Sequence, residues 1–186
     1  MKTRILLACL LAVACSEQGD AAKPGGLAVE RVETQTAGTL TLTSRDFAAG
    51  GNIPPRFSAY DIGISPRLSW RGLPEGTKRL ALIMEDPDAS GAQPFVHWVA
   101  WNIDPAAGGL PSGSVTPGAR IGRNGRGNPG YFGPHPGKSA HHYHFQMFAL
   151  DSELSLKPGS SREQLIQAMK GHVLGKADLV GLFAKP

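Results

Sequence analysis

The sequence predicts a mainly β protein in which a single domain makes up most of the chain. Glycine accounts for 24 of the 186 residues and proline for 15, whereas charged residues make up only 18%. So many turn-forming residues favour strands and loops over a helical bundle. The length is enough for one domain with a sizeable core, but not comfortably for two.

The strands of this domain are predicted from the spacing of apolar residues. Residues 39–44 alternate polar and apolar side chains, which is typical of a half-buried strand, and a short strand is expected at Leu68–Trp70. The continuous apolar run Leu80–Met84 predicts a strand that is buried on both faces. Aromatic and β-branched residues predict two further strands, at Phe95–Ile103 and His141–Leu150.

The remaining part of the domain combines a long loop, one helix and a last strand. Residues 104–140 are rich in glycine, proline and polar residues, and a loop of this length in a small domain is usually functional or disordered. Ser160 fits an N-cap with Glu163 reaching back in a capping box. The helix then carries an apolar stripe, and Asp178–Phe183 is expected to be a strand or extended segment.

The N-terminus has the pattern of a targeting segment. Basic residues precede an apolar run and a small-residue cleavage site, which predicts a signal peptide over residues 1–14. The pattern resembles a bacterial lipoprotein signal in which Cys15 is acylated, with ordinary secretion as the alternative. We therefore expect an exported, periplasmic and membrane-anchored protein, with a flexible tether over residues 15–37 and the domain over residues 38–186.

Charge and cysteine content exclude several classes of function. Of 19 basic residues, Lys2 and Arg4 lie in the predicted signal, which leaves 17 against 15 acidic residues. This balance gives no reason to expect nucleic acid as a partner. The mature domain has no cysteine after Cys15, so an intradomain disulfide, a zinc–thiolate site and a catalytic cysteine are all excluded.

Strand periodicity proposes a specific geometry for two histidines. Alternation places His97 on the same face as Val99, Trp101 and Ile103, and His141 on the same face as Tyr143, Phe145 and Met147. If the two strands are parallel neighbours, both imidazoles lie at one edge of the sheet. An antiparallel Leu80–Met84 strand would bring Asp86 and Asp88 to that same edge, with Pro87 aiming both carboxylates.

Such a cluster suits a small anion. A carboxylate that accepts from an imidazole N–H fixes the tautomer and raises the pKa of the imidazole. Two charged histidines and backbone N–H groups from the loop at Gly133 could then hold a phosphate-like group. On this reasoning, binding should strengthen below about pH 6.5, where imidazoles gain charge.

Other motifs support weaker alternatives. His142 and His144 share one face of a strand, an arrangement that some β-barrel metal enzymes use. Three spaced arginines, Arg120, Arg123 and Arg126, could steer anions. Neither motif leads us to assign a metal or a cofactor. No catalytic residue is assigned either, because phosphate-binding and nucleophile motifs are absent from the sequence.

Taken together, the segments 86–89, 96–103 and 130–143 resemble the phosphatidylethanolamine-binding protein family, and in particular its bacterial branch similar to Raf kinase inhibitor protein. The resemblance covers residues 38–186. It implies a β-sandwich with a large central sheet, a smaller sheet and short helices, and a pocket for phosphate, acetate or phosphoethanolamine-type groups. Carried over by position, it implies these ligand-binding residues: Asp86, Phe95, His97, Gly133, Pro136, His141 and Tyr143.

The family pattern is not matched everywhere. Ser90 stands where the first motif usually ends in proline, and His142 replaces the usual arginine. Where the second motif usually has Pro-Pro and a glycine-containing spacer, this chain has Pro134-His135-Pro136 and a shorter spacer. These changes affect the expected ligand selectivity rather than the fold.

Three functions follow as hypotheses. The first is a non-enzymatic binding protein for a small anion or phospholipid headgroup. The second is a protein-interaction module that inhibits a protease or another enzyme. The third is a weak hydrolase or metal enzyme that uses the pair His142 and His144.

Overall fold

Two antiparallel sheets form the body of the protein in a computed structural model that describes residues 25–36 and 39–186. The smaller sheet contains β1 (Thr41–Thr43), β2 (Leu68–Arg71) and β5 (Gly109–Leu110), in the order β1-β2-β5. The larger sheet contains β3 (Arg79–Asp86), β4 (Phe95–Ile103), β6 (Arg120–Ile121), β7 (His141–Leu150) and β8 (Val173–Phe183). Its order is β6-β4-β3-β7-β8, so β3 is the central strand.

The central strand is buried on both faces, as its continuous apolar run predicts. Leu82 and Met84 pack into an inner cluster between the two sheets. Ala81 and Ile83 pack into an outer cluster that the helices cover. Because side chains alternate along a strand, one uninterrupted apolar run supplies both layers of the core. The predicted β-sandwich with peripheral short helices is therefore confirmed.

Strands β4 and β7 lie on either side of β3 and both pair with it antiparallel. They are therefore parallel to each other without being neighbours. The central strand is antiparallel to both, which is one condition of the sequence argument, whereas β4 and β7 are not the neighbours that its other condition required. This arrangement places the end of β3 and the beginnings of β4 and β7 at one edge of the sheet.

The main helix, α2, spans Arg162–Met169 and begins one residue later than predicted. Ser161 is the N-cap and forms a capping box with Gln164. The hydroxyl of Ser160 instead donates to the Lys157 carbonyl in the preceding turn. Ser160 therefore does not serve as the N-cap of α2. Two short 3₁₀ turns lie at Pro55–Phe57 and Pro105–Ala107.

The last strand is longer than predicted. β8 pairs with β7 from Val173 to Phe183, although Gly175 and Lys176 interrupt its apolar pattern. Pairing with the long neighbouring strand β7 decides its length, since every residue of β7 has a partner there.

Residues 25–36 form a docked segment, here called the N-terminal strap, which contains the one-turn helix α1 (Ala28–Arg31). Ala28 and Val32 are buried in the outer cluster. The Glu85 carboxylate accepts from the Ala28 N–H at 2.8 Å, and the Lys176 ammonium donates to two carbonyls of the strap. The structure therefore differs from the predicted flexible tether over residues 25–36, because composition alone does not reveal these buried polar partners on the sheet.

The predicted signal peptide over residues 1–14, Cys15 and the first part of the tether lie outside the described residues. Within residues 25–36 and 39–186, no helix combines the length and the apolar character that a membrane span requires.

Candidate anion site

Three strands bring the predicted polar residues together at one edge of the large sheet. Asp86 is the last residue of β3, His97 lies near the start of β4, and His141 is the first residue of β7. The Asp86 Oδ2 atom is 2.8 Å from His141 Nδ1 and 4.0 Å from His97 Nε2. The convergence of these groups, inferred from strand direction, is what the structure shows.

A β-bulge turns His97 toward the inner face of the sheet. Met84 pairs with Trp98, whereas the next residue, Glu85, pairs with Val96, so His97 is an extra residue on β4. An extra residue of this kind bends the strand and re-aims a side chain. The His97 ring consequently lies 5.1 Å from the ring of Tyr143, which belongs to the inner cluster.

Because of this bulge, the face of the sheet predicted for His97 from the sequence is wrong. Simple alternation assigned His97 to the face of Val99, Trp101 and Ile103, but Val99 and Trp101 lie in the outer cluster and Ile103 lies in the inner one. The corresponding prediction for His141 is supported, because Tyr143 and Phe145 face the inner cluster. Without the bulge, the two imidazoles would lie on opposite faces of the sheet.

The loop after Gly130 fixes the tautomer of His97. The His97 Nδ1 atom lies 2.7 Å from the Phe132 carbonyl oxygen, and the Phe132 N–H donates back to the His97 carbonyl at 2.8 Å. A carbonyl oxygen only accepts hydrogen bonds, so Nδ1 carries the hydrogen and donates it. In the neutral ring, Nε2 is therefore an acceptor with a free lone pair.

His97 is only 2% exposed, and aromatic rings surround it. Phe132 stacks on it at 5.6 Å, and Phe95 meets it edge-on at 4.9 Å. Burial lowers the pKa of His97 to about 4, although the Phe132 carbonyl and Asp86 oppose this shift. The prediction that both histidines gain charge below about pH 6.5 is therefore wrong for His97.

The Asp86–Asp88 segment is held in place as a turn. Asp86 Oδ1 accepts from the Asp88 N–H at 2.9 Å, while Oδ2 faces the imidazole of His141. Asp88 in turn accepts from both the N–H and the Nδ1 of His142, each at 2.7 Å. Partial burial opposes the effect, but these His142 contacts lower the pKa of Asp88.

Tyr143 brings a buried hydroxyl to the site, next to the Asp86 carboxylate and the main chain of His135. Among the described residues, this hydroxyl forms no hydrogen bond of good geometry. Burial and the nearby Asp86 carboxylate raise the pKa of the phenol, so the group keeps its hydrogen. An unpaired buried hydroxyl costs stability, and in a native structure it calls for an explanation such as a ligand.

The family model for the phosphatidylethanolamine-binding protein matches residues 43–184, which include every residue of this cluster. The chain belongs to the phosphatidylethanolamine-binding protein family.

Relatives of this family occur in archaea and bacteria. A UPF0098 protein of Methanothermobacter thermautotrophicus is 42% identical over 151 residues, which cover 78% of this chain and 99% of the relative. LppC of Mycobacterium tuberculosis, named as a candidate lipoprotein, is 40% identical over 146 residues, covering 77% of this chain and 72% of that protein.

Two solved structures of the family share the fold. CT736 of Chlamydia trachomatis, described as a homologue of phosphatidylethanolamine-binding protein, superimposes with a TM-score of 0.75 at 36% identity, covering 81% of this chain and all of its own. YbcL of Escherichia coli, described as a new member of the mammalian family, gives 0.72 at 27% identity, covering 79% of this chain and 99% of that chain.

The remaining residues carried over from the family pattern shape the loop beside this cluster. A Cβ on Gly133 would lie 2.5 Å from the Phe57 carbonyl oxygen, so glycine allows the two segments to touch. The carbonyl of Pro136 accepts from the Tyr60 hydroxyl at 2.5 Å, and Pro136 is buried. Both residues thus position the loop that holds Phe132, and the predicted anion contact of the Gly133 N–H stays a prediction.

Sequence reasoning missed the role of Phe132, whose carbonyl decides the tautomer of a family histidine. No side-chain pattern signals a main-chain contact of this kind. Of the three loop arginines, Arg126 has its guanidinium 4.3 Å from the centre of the Phe132 ring. It therefore contacts the aromatic ring that stacks on His97.

The pair His142 and His144 lies apart from this cluster. Each of these histidines has its Nδ1 atom 2.7 Å from a carboxylate, Asp88 for His142 and Asp178 for His144. Across residues 25–36 and 39–186, no group of three or more potential ligands is arranged to hold a metal ion.

Proposed function

We propose that the protein is a non-enzymatic binding protein for a small phosphate-like anion, held between the side chains of His141, Tyr143 and His97. The observation that carries the proposal is the convergence of His141, oriented by Asp86 at 2.8 Å, and the buried hydroxyl of Tyr143 at one edge of the sheet. An anionic oxygen would satisfy this hydroxyl with a strong, charge-assisted hydrogen bond.

His141 supplies the second donor of the proposed site. Its Nδ1 atom is held by Asp86, and its side chain is 14% exposed, so the ring is partly open to solvent. Nδ1 donates to the carboxylate, which leaves Nε2 to a ligand, and Nε2–H is a donor when the ring carries both hydrogens.

A binding role agrees with the contacts that both imidazoles make. His97 bonds a main-chain carbonyl and His141 bonds a carboxylate, so within the described residues neither Nδ1 atom is engaged with a hydroxyl that it could activate as a nucleophile. These contacts support a role in holding a ligand.

Titration calorimetry of the purified protein with inorganic phosphate, acetate and phosphoethanolamine tests this proposal. Saturable binding should be weakened roughly tenfold or more in Tyr143→Phe and in His141→Ala, because each loses a charge-assisted hydrogen bond. His172→Ala is the matched control, since His172 forms a similar pair with Asp151 at 2.8 Å elsewhere on the surface. Equal affinity in all three variants would eliminate the site.

We further propose export and membrane attachment through Cys15. The N-terminal sequence pattern supports this, as does the relative LppC, which is named as a candidate lipoprotein. Fractionation of a bacterial host tests it, because the protein should sediment with membranes and Cys15→Ser should release it. Recovery of both forms in the same soluble fraction would contradict the proposal.

A further inference from the structure

The N-terminal strap crosses the outer face of the large sheet from one edge to the other. It begins beside the loop that joins β3 to β4, where an added Cβ on Gly25 would lie 2.7 Å from the Ala92 carbonyl oxygen. It ends beside the start of β8, where the Gln35 N–H donates to the Val173 carbonyl at 2.8 Å. The strap therefore starts at the edge that carries Asp86, here called the site edge, and ends at the opposite edge.

Hydrogen bonds to three strands hold the strap along this path. Glu85, near the end of β3, accepts from the Ala28 N–H. Gln146, in the middle of β7, accepts from the Val29 N–H at 2.6 Å, and Lys176 of β8 donates to the Val29 carbonyl at 2.6 Å. Because these partners bind successive main-chain groups of the strap, they fix its direction across the sheet.

After the strap, the chain enters the rest of the domain far from the site edge. Thr39 precedes β1, and an added Cβ on Gly72 would lie 2.5 Å from the Thr39 carbonyl oxygen, in the connection that leads from β2 to the start of β3. Without the strap, the preceding chain would therefore leave the domain on the side opposite Asp86 and His141. With the strap docked, it leaves at Gly25, beside the site edge.

The distances to the proposed lipid anchor differ in the same sense. Gly25 is ten residues after Cys15, a length of chain that spans at most about 36 Å in any conformation. Thr39 is 24 residues after Cys15, which allows a span of up to about 85 Å. Docking of the strap thus shortens the connection to the anchor and moves its attachment point to the site edge.

Exposed cations lie at the site edge. Lys138 precedes β7, Lys185 follows β8, and Arg126 belongs to a loop that is hydrogen-bonded to the start of β4. Asp88 is also exposed there, but its carboxylate is paired with His142 at 2.7 Å. Anionic lipid headgroups attract basic side chains near a bilayer, so the charge of this edge fits an anionic membrane surface.

We propose that the strap orients the domain on the membrane, so that the edge carrying Asp86, His97 and His141 faces the lipid surface. The inference rests on the proposed attachment through Cys15, and it holds whatever ligand the cluster binds. It assigns an interaction surface whose partner is an anionic bilayer. The strap sets this orientation because it moves the point at which the chain leaves the domain from one edge of the sheet to the other.

Energy transfer from single dyes to a labelled lipid tests the orientation in the full-length, acylated protein. The sequence has no cysteine after Cys15, which acylation occupies, so one introduced cysteine can be labelled alone. Ser90→Cys lies in an exposed loop at the site edge, and Glu75→Cys lies in an exposed turn at the opposite edge. The eight residues of β3 between these edges span about 26 Å.

The proteins are reconstituted into vesicles of phosphatidylcholine and phosphatidylglycerol that contain a headgroup-labelled acceptor. Transfer from the dye at Ser90→Cys should be at least roughly twofold greater than from the dye at Glu75→Cys, because the separation between the edges is comparable to the height of the domain above the bilayer. Equal transfer, or greater transfer from Glu75→Cys, would overturn the proposed orientation.

A double variant releases the strap and leaves the strands unchanged. Ala28→Asp and Val32→Asp place two carboxylates in the outer cluster, where these residues are 0% and 2% exposed. The difference between the two dye positions should then vanish or reverse. Thr34→Asp is the matched control, because it adds a carboxylate at an exposed residue of the strap and should keep the wild-type difference.

The outcomes separate this inference from the attachment on which it rests. If neither labelled protein stays with the vesicles, attachment through Cys15 is overturned. If both stay but show no difference in transfer, only the orientation is overturned. A difference that persists in the double variant would overturn the role of the strap, and if that variant does not fold, the wild-type comparison still decides the orientation.

Discussion

Acid should destabilise this protein through His97 in particular. The native ring resists protonation until about pH 4 because it is buried, whereas in the unfolded chain it titrates near 6.5. Between these values the unfolded state binds more protons than the native state, so stability rises with pH across this window. The contribution is fully present above about pH 6.5 and is lost as the pH falls toward 4.

The size of the effect follows from the separation of the two pKa values. A separation of about 2.5 units corresponds to about 3 kcal/mol of unfolding free energy over the whole window. The ring is almost wholly inaccessible to water, so solvent screening removes little of this amount. For a domain of this size, such a loss is a large part of the total stability.

Urea unfolding at several pH values between about 7 and 4.5 measures this contribution. Wild type should lose roughly 2–3 kcal/mol more than His97→Asn over this range, because the variant keeps the contact with Phe132 but has no group that titrates. His144, whose pKa is raised by Asp178 against its partial burial, is common to both proteins and cancels. The contribution of His144 to the free energy of unfolding has the opposite sign to that of His97. It is fully present below the pKa of His144 in the unfolded chain, and it is lost as the pH rises through the pKa in the folded protein.

Nuclear magnetic resonance of the imidazole provides the direct check. The His97 nitrogens should report the Nδ1–H tautomer at neutral pH and stay unchanged down to about pH 5. A His97 ring that titrates near pH 6.5, or equal pH dependence of stability in wild type and variant, would refute the reasoning.

Three further substitutions give separate tests. Tyr143→Phe should leave the urea midpoint unchanged or raise it without ligand, because a buried unpaired hydroxyl costs about 1–3 kcal/mol; a clear loss of stability would show that the hydroxyl has a partner. Gly133→Ala should cost roughly 1–3 kcal/mol, since its Cβ would meet the Phe57 carbonyl, and a variant as stable as wild type would exclude that close contact. Glu85→Gln should cost about 3 kcal/mol, because Arg162 loses its buried charged partner and keeps only Glu163 and the Gly26 carbonyl. The variant should also speed proteolysis of the N-terminal strap, and unchanged cleavage would show that this ion pair does not hold the strap.

The long strands of the large sheet could be predicted from apolar spacing, whereas the two-sheet sandwich was expected from the resemblance to the family. The bounds of β4 and β7 agree with the sequence pattern to the residue. The buried run in β3 identified the central strand, and its antiparallel direction gave the edge at which Asp86 meets two histidines. These features depend on local periodicity and on strand order, both of which sequence motifs constrain.

The features that could not be predicted depend on contacts between residues that are far apart in the chain. The bulge at His97 arises from the pairing of β3 with β4, so counting along one strand cannot reveal it. The tautomer of His97 depends on a main-chain oxygen 35 residues away. The strap is polar in composition, and its attachment follows from distant partners such as Glu85 and Gln146.

Neighbouring residues at the end of β3 have a practical consequence for where this domain begins. Glu85 holds the strap on one side of the sheet, while Asp86 faces His141 on the other. The match to the family starts only at residue 43, after the strap has ended. A recombinant protein that began at residue 43 would lack the strap, so the Glu85 carboxylate and the Arg162 guanidinium would be exposed to water. Glu85 is one peptide bond from Asp86, the residue that orients His141.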